Sequence, residues 1–140
     1  SVVVFDEVQL CPRARAAIKY LVADGRFHYI ETGSLVSIKK NVRDIVIPSE
    51  EESMPMFPMD FEEFLWAIGN DLLMPYIRQC FEKRQPMGVH HRKAMEYFRT
   101  YMIVGGMPQA VQAFVDSKDF DKVDQVKRGI LRVYSNDISK

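Results

Sequence analysis

The sequence predicts an α/β protein whose parallel-sheet first part passes into an all-helical second part. Three observations carry this. Val2-Val3-Val4-Phe5 is apolar at every position and runs straight into Asp6-Glu7. A strand, a helix, a second strand and a polar turn follow one another before Leu35. After Met59 no strand pattern appears, and helical spacing governs the rest.

A strand that is apolar throughout, rather than alternating, is one covered on both faces, as in a parallel sheet between helix layers. Residues 2–5 are therefore expected to be buried on both sides, with Asp6 and Glu7 at the carboxyl end. Pro12 opens the next element where its missing N–H costs nothing. Ala16, Ala17, Tyr20 and Leu21 recur at helical spacing up to the stop at Asp24-Gly25. Phe27 to Ile30 reads as a second strand, and Thr32-Gly33-Ser34 as the polar turn after it. Strand, helix, strand is a parallel unit, so both polar turns fall at one edge, where open α/β sheets bind ligands.

Residues 39–53 are polar and broken by Pro48, which predicts a mobile loop. Met54 to Met59 is apolar with Pro55 and Pro58, the pattern of an edge strand. Asp60 is a helix cap, with Glu62 and Glu63 in the positive first turn and Phe61, Phe64, Leu65 and Ile68 on one face. Helices are expected over Leu72–Arg84, His90–Val104, Gln109–Val115 and Val123–Tyr134. The order predicts a sheet-containing region 1–69, a connecting segment 70–89 and a helical region 90–140.

Composition narrows the classes. With 47% hydrophobic and 27% charged residues the chain has the make-up of a soluble globular protein. Charges interrupt every apolar run well short of the roughly 18 residues a membrane span needs. Ser1-Val2-Val3-Val4-Phe5-Asp6 has neither the basic start nor the length of a secretory signal, so a cytoplasmic location is expected. Cys11 and Cys80 lack zinc-type spacing and read as reduced structural thiols. His90 and His91 are adjacent, which on a helix turns them about 100° apart, and they read as a surface pair rather than metal ligands. The methionines, Met54, Met56 and Met59 among them, read as fillers of irregular core space. Gly105-Gly106 before Pro108 reads as one helix stopping and another starting.

Formal net charge is +0, yet the halves differ. Residues 1–70 hold seven Lys/Arg against eleven Asp/Glu, a net −4, and residues 71–140 hold twelve against eight, a net +4. A basic helical half is a cue for nucleic acid or an acidic protein, although ordinary solvated helix faces produce the same balance.

The acidic pair carries the chemistry. In an apolar strand ending in Asp-Glu, the first carboxylate can hold magnesium, directly or through a water, while the second orients or deprotonates an attacking water. Acidic residues also end strands simply because a turn must be solvated, so the run alone leaves both readings open. Thr32-Gly33-Ser34 would add hydroxyls beside the pair, where ATPases keep a polar residue sensing the γ-phosphate. A plain turn is the other reading of that segment.

Val2 to Gln9, Ile30 to Ser34 and Met56 to Leu65 together resemble a widespread group of prokaryotic AAA-type P-loop ATPases, in which a nucleotide-binding domain precedes a helix-rich C-terminal domain of unknown function. Tyr101 to Val111, with its Val104-Gly105-Gly106-Met107-Pro108 core, and Ile130 to Lys140 resemble that second domain. The resemblance implies the C-terminal part of a parallel-sheet P-loop NTPase domain followed by the start of a helical one. It implies ATP and Mg²⁺ as cofactors, with Asp6 as the magnesium carboxylate acting through a water and Glu7 as the catalytic base. Thr32 and Ser34 would be the sensor, and Arg43 an arginine reaching a γ-phosphate, in a neighbouring subunit if the protein is an oligomer. No G-x-x-x-x-G-K-[ST] run occurs in the 140 residues. The expectation is that it lies roughly 30 to 60 residues upstream in a parent protein, that the present chain does not hydrolyse ATP alone, and that the helical part passes the nucleotide cycle to a protein partner. The competing expectation is a non-enzymatic helical module that binds nucleic acid or a protein.

Overall fold

The computed structural model describes residues 1–33 and 52–138. The chain divides into two compact units, Ser1–Pro55 and Met56–Lys140.

In the first unit, strands β1 (Val2–Phe5) and β2 (His28–Glu31) pair in parallel, with Val2 opposite His28 and Phe5 opposite Glu31. Helix α1 (Pro12–Asp24) connects them, as the strand-helix-strand pattern predicts. Pro12 stands at its start, and Gly25, at φ 72, closes it by donating its N–H to the Val22 carbonyl. A short 3₁₀ turn over Val8–Leu10 leads from β1 into α1.

Burial here departs from expectation. Along β1, Val3 and Phe5 are half-buried while Val2 and Val4 are more than half exposed, and Ile30 on β2 is exposed with them. Among the described residues α1 covers one face of the sheet, so the all-apolar run is buried on that side alone. The inward stripe of α1 is also turned from the one expected. Ala14, Arg15, Ala17, Ile18 and Leu21 face in, whereas Ala16 and Tyr20 are exposed. The stripe keeps helical spacing, but one of its members is a charged residue.

The second unit is helical: α2 (Phe61–Ala67), α3 (Leu73–Glu82), α4 (His91–Val104), α5 (Pro108–Ser117) and α6 (Phe120–Ile138), with a 3₁₀ turn over Gly88–His90 before α4. Asp60 caps α2 reciprocally: Glu63 N–H donates to Asp60 Oδ1 at 2.9 Å, and Asp60 N–H to Glu63 Oε2 at 2.8 Å. Arg78 on α3 pairs with Glu62 on α2.

Phe64, Val104, Ala110, Val111 and Val123 form the core, drawn from four of these helices. The Phe64 ring stacks on Phe114 at 6.1 Å and meets Tyr101 at 5.5 Å. Burying a side chain of that size contributes about 2–3 kcal/mol. Through Phe64, α2 packs with the helices that follow it.

The edge strand expected over 54–59 is absent: residues 52–60 have no regular structure. Two prolines remove the donors a ladder needs. One backbone contact replaces it, as Met59 donates its N–H to the Gly106 carbonyl at 2.8 Å and its own carbonyl accepts from the Tyr101 hydroxyl at 3.0 Å. Gly105 and Pro108 do divide α4 from α5 as the sequence suggests. The loop expected over residues 39–53 lies almost wholly outside the described residues.

Candidate functional site

The two strand ends build the site. Their ladder continues past the strands: Thr32 donates its N–H to the Phe5 carbonyl at 2.9 Å, and Val8 its N–H to the Thr32 carbonyl at 3.0 Å. Asp6 and Glu7 span the gap between those two bonds. Glu7 takes the left-handed conformation, φ 51 and ψ 47. For a residue with a Cβ this costs about 1–2 kcal/mol.

That turn brings the Glu7 N–H to the Thr32 hydroxyl oxygen at 3.2 Å. The same hydroxyl donates its proton to Asp6 Oδ1. A threonine hydroxyl has one proton to give, so accepting from Glu7 and donating to Asp6 fixes its orientation. Asp6, Glu7 and Thr32 are all exposed, on the carboxyl side of the sheet. Three of the residues singled out from sequence are thus brought together; Ser34 and Arg43 lie outside the described residues.

Beneath the turn sits a pair the sequence reading passed over. Arg15 on α1 is 4% exposed, and its Nη1 lies 3.8 Å from Oε2 of Glu31, the residue before Thr32. The signal was available: Arg15 falls on the same helical stripe as Ala14, Ile18 and Leu21, and a charge on an inward stripe needs a partner.

Among the described residues no three His, Cys, Asp or Glu side chains cluster into a metal cage. Asp6 offers one oriented hard oxygen donor. This fits magnesium, which keeps several waters and takes one or two carboxylates together with substrate phosphates. Cys11 is exposed and Cys80 buried, each as a free thiol. Among the described residues no helix is long and apolar enough to cross a membrane.

A parallel strand-helix-strand unit with an acidic pair and a hydroxyl at its carboxyl edge, followed by a mainly helical part, defines an α/β protein. Residues 1–65 match the family model described as AAA domain, and residues 95–140 match the Domain of unknown function (DUF8612). AAA domains ordinarily bind ATP with Mg²⁺, and the first match, over just under half of the chain, suggests an ATPase-related protein. No curated protein and no solved structure matches the chain.

The AAA match ends inside α2, although α2 packs with the second compact unit. The match therefore runs ten residues past the division between the compact units.

Proposed function

We propose that this chain supplies the water-activating side of an ATP-hydrolysing site in a prokaryotic molecular switch. The observation that carries the reading is the Thr32 hydroxyl held between the Asp6 carboxylate and the Glu7 N–H. The AAA match over residues 1–65 supports it.

In this reading Asp6 holds magnesium through a water. Magnesium held there would supply positive charge against the phosphates. Glu7, one residue on, accepts the proton of the attacking water. Thr32 is the sensor, together with Ser34: anything that draws on the Asp6 carboxylate also alters the bond that orients the Thr32 hydroxyl, and so reaches the main chain at Glu7. Arg43 completes the set by reaching the γ-phosphate, in a neighbouring subunit of an oligomer. The phosphate-gripping loop is assigned to a segment outside these 140 residues. Residues 1–69 form the nucleotide region, 70–89 the connection, and 90–140 the helical part that passes the change to a partner.

The test is Glu7→Gln in the intact protein that contains this chain. The amide fills the same space but cannot take the proton, so ATP binding should persist while turnover falls by about 10²–10⁴-fold. Turnover equal to wild type would reject Glu7 as the base.

A further inference from the structure

Basic residues crowd the connection between α3 and α4. Lys83 and Arg84 follow α3, and His90, His91, Arg92 and Lys93 open α4, with no acidic residue between Glu82 and Glu96. All six side chains are exposed. The first turn of a helix already carries partial positive charge, and a cation there is unfavourable by about 0.3–1 kcal/mol. Arg92 and Lys93 stand in that turn, and it holds no acidic residue. Glu96 offsets Lys93 from within the helix, and an external anion would relieve Arg92.

A cavity borders this cluster. It measures about 430 Å³ and is lined by Leu72, Leu73, Tyr76, His90, Lys93 and Tyr97, within the usual span of ligand pockets, about 300–1,000 Å³. Its aromatic walls are held in place. The Tyr76 hydroxyl donates to the Met87 carbonyl at 3.2 Å, and its ring meets His90 edge-on at 5.1 Å. Lys93 Nζ lies 4.7 Å over the Tyr97 ring and donates to Glu96 at 2.9 Å. A second hollow of about 480 Å³ lies along the same connection, with Phe81, Arg84 and Met87 in its lining. The Phe81 side chain there is 83% exposed.

We propose that this α3–α4 surface binds single-stranded nucleic acid, with phosphates on Arg84, Arg92 and Lys93 and an unstacked base in the Tyr76–Tyr97 cavity. A positive track interleaved with aromatic rings is the combination that holds single strands without strict sequence preference. A duplex presents its phosphates but keeps its bases stacked, and an acidic peptide presents charge without a row of planar rings. The binding site shares no residue with the Asp6–Glu7–Thr32 site and does not depend on the ATPase reading.

Fluorescence anisotropy of the full chain with a short labelled oligothymidylate tests it, with a duplex of equal length and polyglutamate as competitors. The single strand should bind more tightly than the duplex, with affinity falling steeply as salt rises. The double variant R92Q/K93Q changes only exposed side chains and should retain its circular dichroism. It should weaken binding by about tenfold per lost phosphate contact at 50 mM salt and flatten the salt dependence. Tyr97→Leu should weaken single-strand binding without changing the salt slope. The proposal is overturned by no binding at low salt, by equal affinity for the duplex, or by an unchanged R92Q/K93Q. Polyglutamate displacing the strand as well as unlabelled oligothymidylate does would also overturn it and point to an acidic protein instead.

Discussion

Gly106→Ala should unfold the helical unit more readily than its modest chemistry suggests. Gly106 has no positive φ, so its backbone accepts any residue. Space is the constraint: a Cβ there would lie 2.1 Å from the Met59 carbonyl oxygen and 3.0 Å from the Met59 carbonyl carbon. Carbon contacts are comfortable at about 3.5–4.0 Å, so the two segments must part by about 1 Å or more. The oxygen cannot simply rotate away, because it accepts from the Tyr101 hydroxyl at 3.0 Å while Met59 N–H is tied to the Gly106 carbonyl at 2.8 Å. Overpacking of this kind costs about 1–3 kcal/mol, and the two hydrogen bonds add about 1 kcal/mol each. The expected loss is about 3–5 kcal/mol by these terms. Trp66, the one tryptophan, sits on α2 and reports unfolding of the helical unit in a urea titration followed by fluorescence. Tyr101→Phe, which loses one bond and creates no clash, should cost about 1 kcal/mol. A Gly106→Ala transition at or above that of Tyr101→Phe would refute the steric argument.

Two further outcomes follow from the sheet edge. Thr32→Val keeps the side-chain shape but leaves Asp6 and the Glu7 N–H without their shared hydroxyl. Because the site is exposed, thermal stability should fall by only about 1 kcal/mol, while ATP turnover of the intact protein drops and Thr32→Ser restores it. Wild-type turnover in Thr32→Val would remove Thr32 from the mechanism. Arg15→Met strips a buried cation from Glu31 and should destabilise the first unit by about 3–5 kcal/mol. The double change R15M/E31Q should regain part of that loss in denaturant titration, and an additive result would mean the two side chains are not coupled.

Much of the architecture was legible because local chemistry and fold agree. The spacing of Asp60 and Glu63 spells a reciprocal cap before a helix, and that cap is there. A strand running into Asp6-Glu7, a helix begun by Pro12 and a second strand before Thr32 are where the pattern puts them, the second strand one residue later than expected. What periodicity cannot supply is the partner on the other side. It marked Val2-Val3-Val4-Phe5 as able to be buried on both faces, yet among the described residues one face has a helix over it. It read Met54 to Met59 by its apolar content, where two missing N–H donors decide against a ladder. It read Gly106 as part of a helix stop, while the requirement for glycine comes from Met59, far away in sequence.

The candidate sites coincide with positions where a local preference is overridden. Elsewhere the preferences hold: Gly25 and Gly105 take the positive φ at helix ends, and Asp60 takes the cap. Glu7 instead accepts a left-handed backbone that glycine would adopt without strain, and the turn delivers its N–H to Thr32. Arg84 does the same, at φ 51, beside the basic connection, and Arg92 and Lys93 occupy the end of α4 that favours acids. Lys118, also left-handed, shows that strain alone is not a site: it closes α5 by donating its N–H to the Phe114 carbonyl, and its Nζ lies over the Phe114 ring. The distinguishing feature at Glu7 and at the α3–α4 connection is convergence. In both places an unfavourable backbone or charge placement is joined by side chains that face solvent and could recover the cost from a ligand, a cation with its phosphate at the carboxylates of the first and a nucleic-acid strand at the basic second.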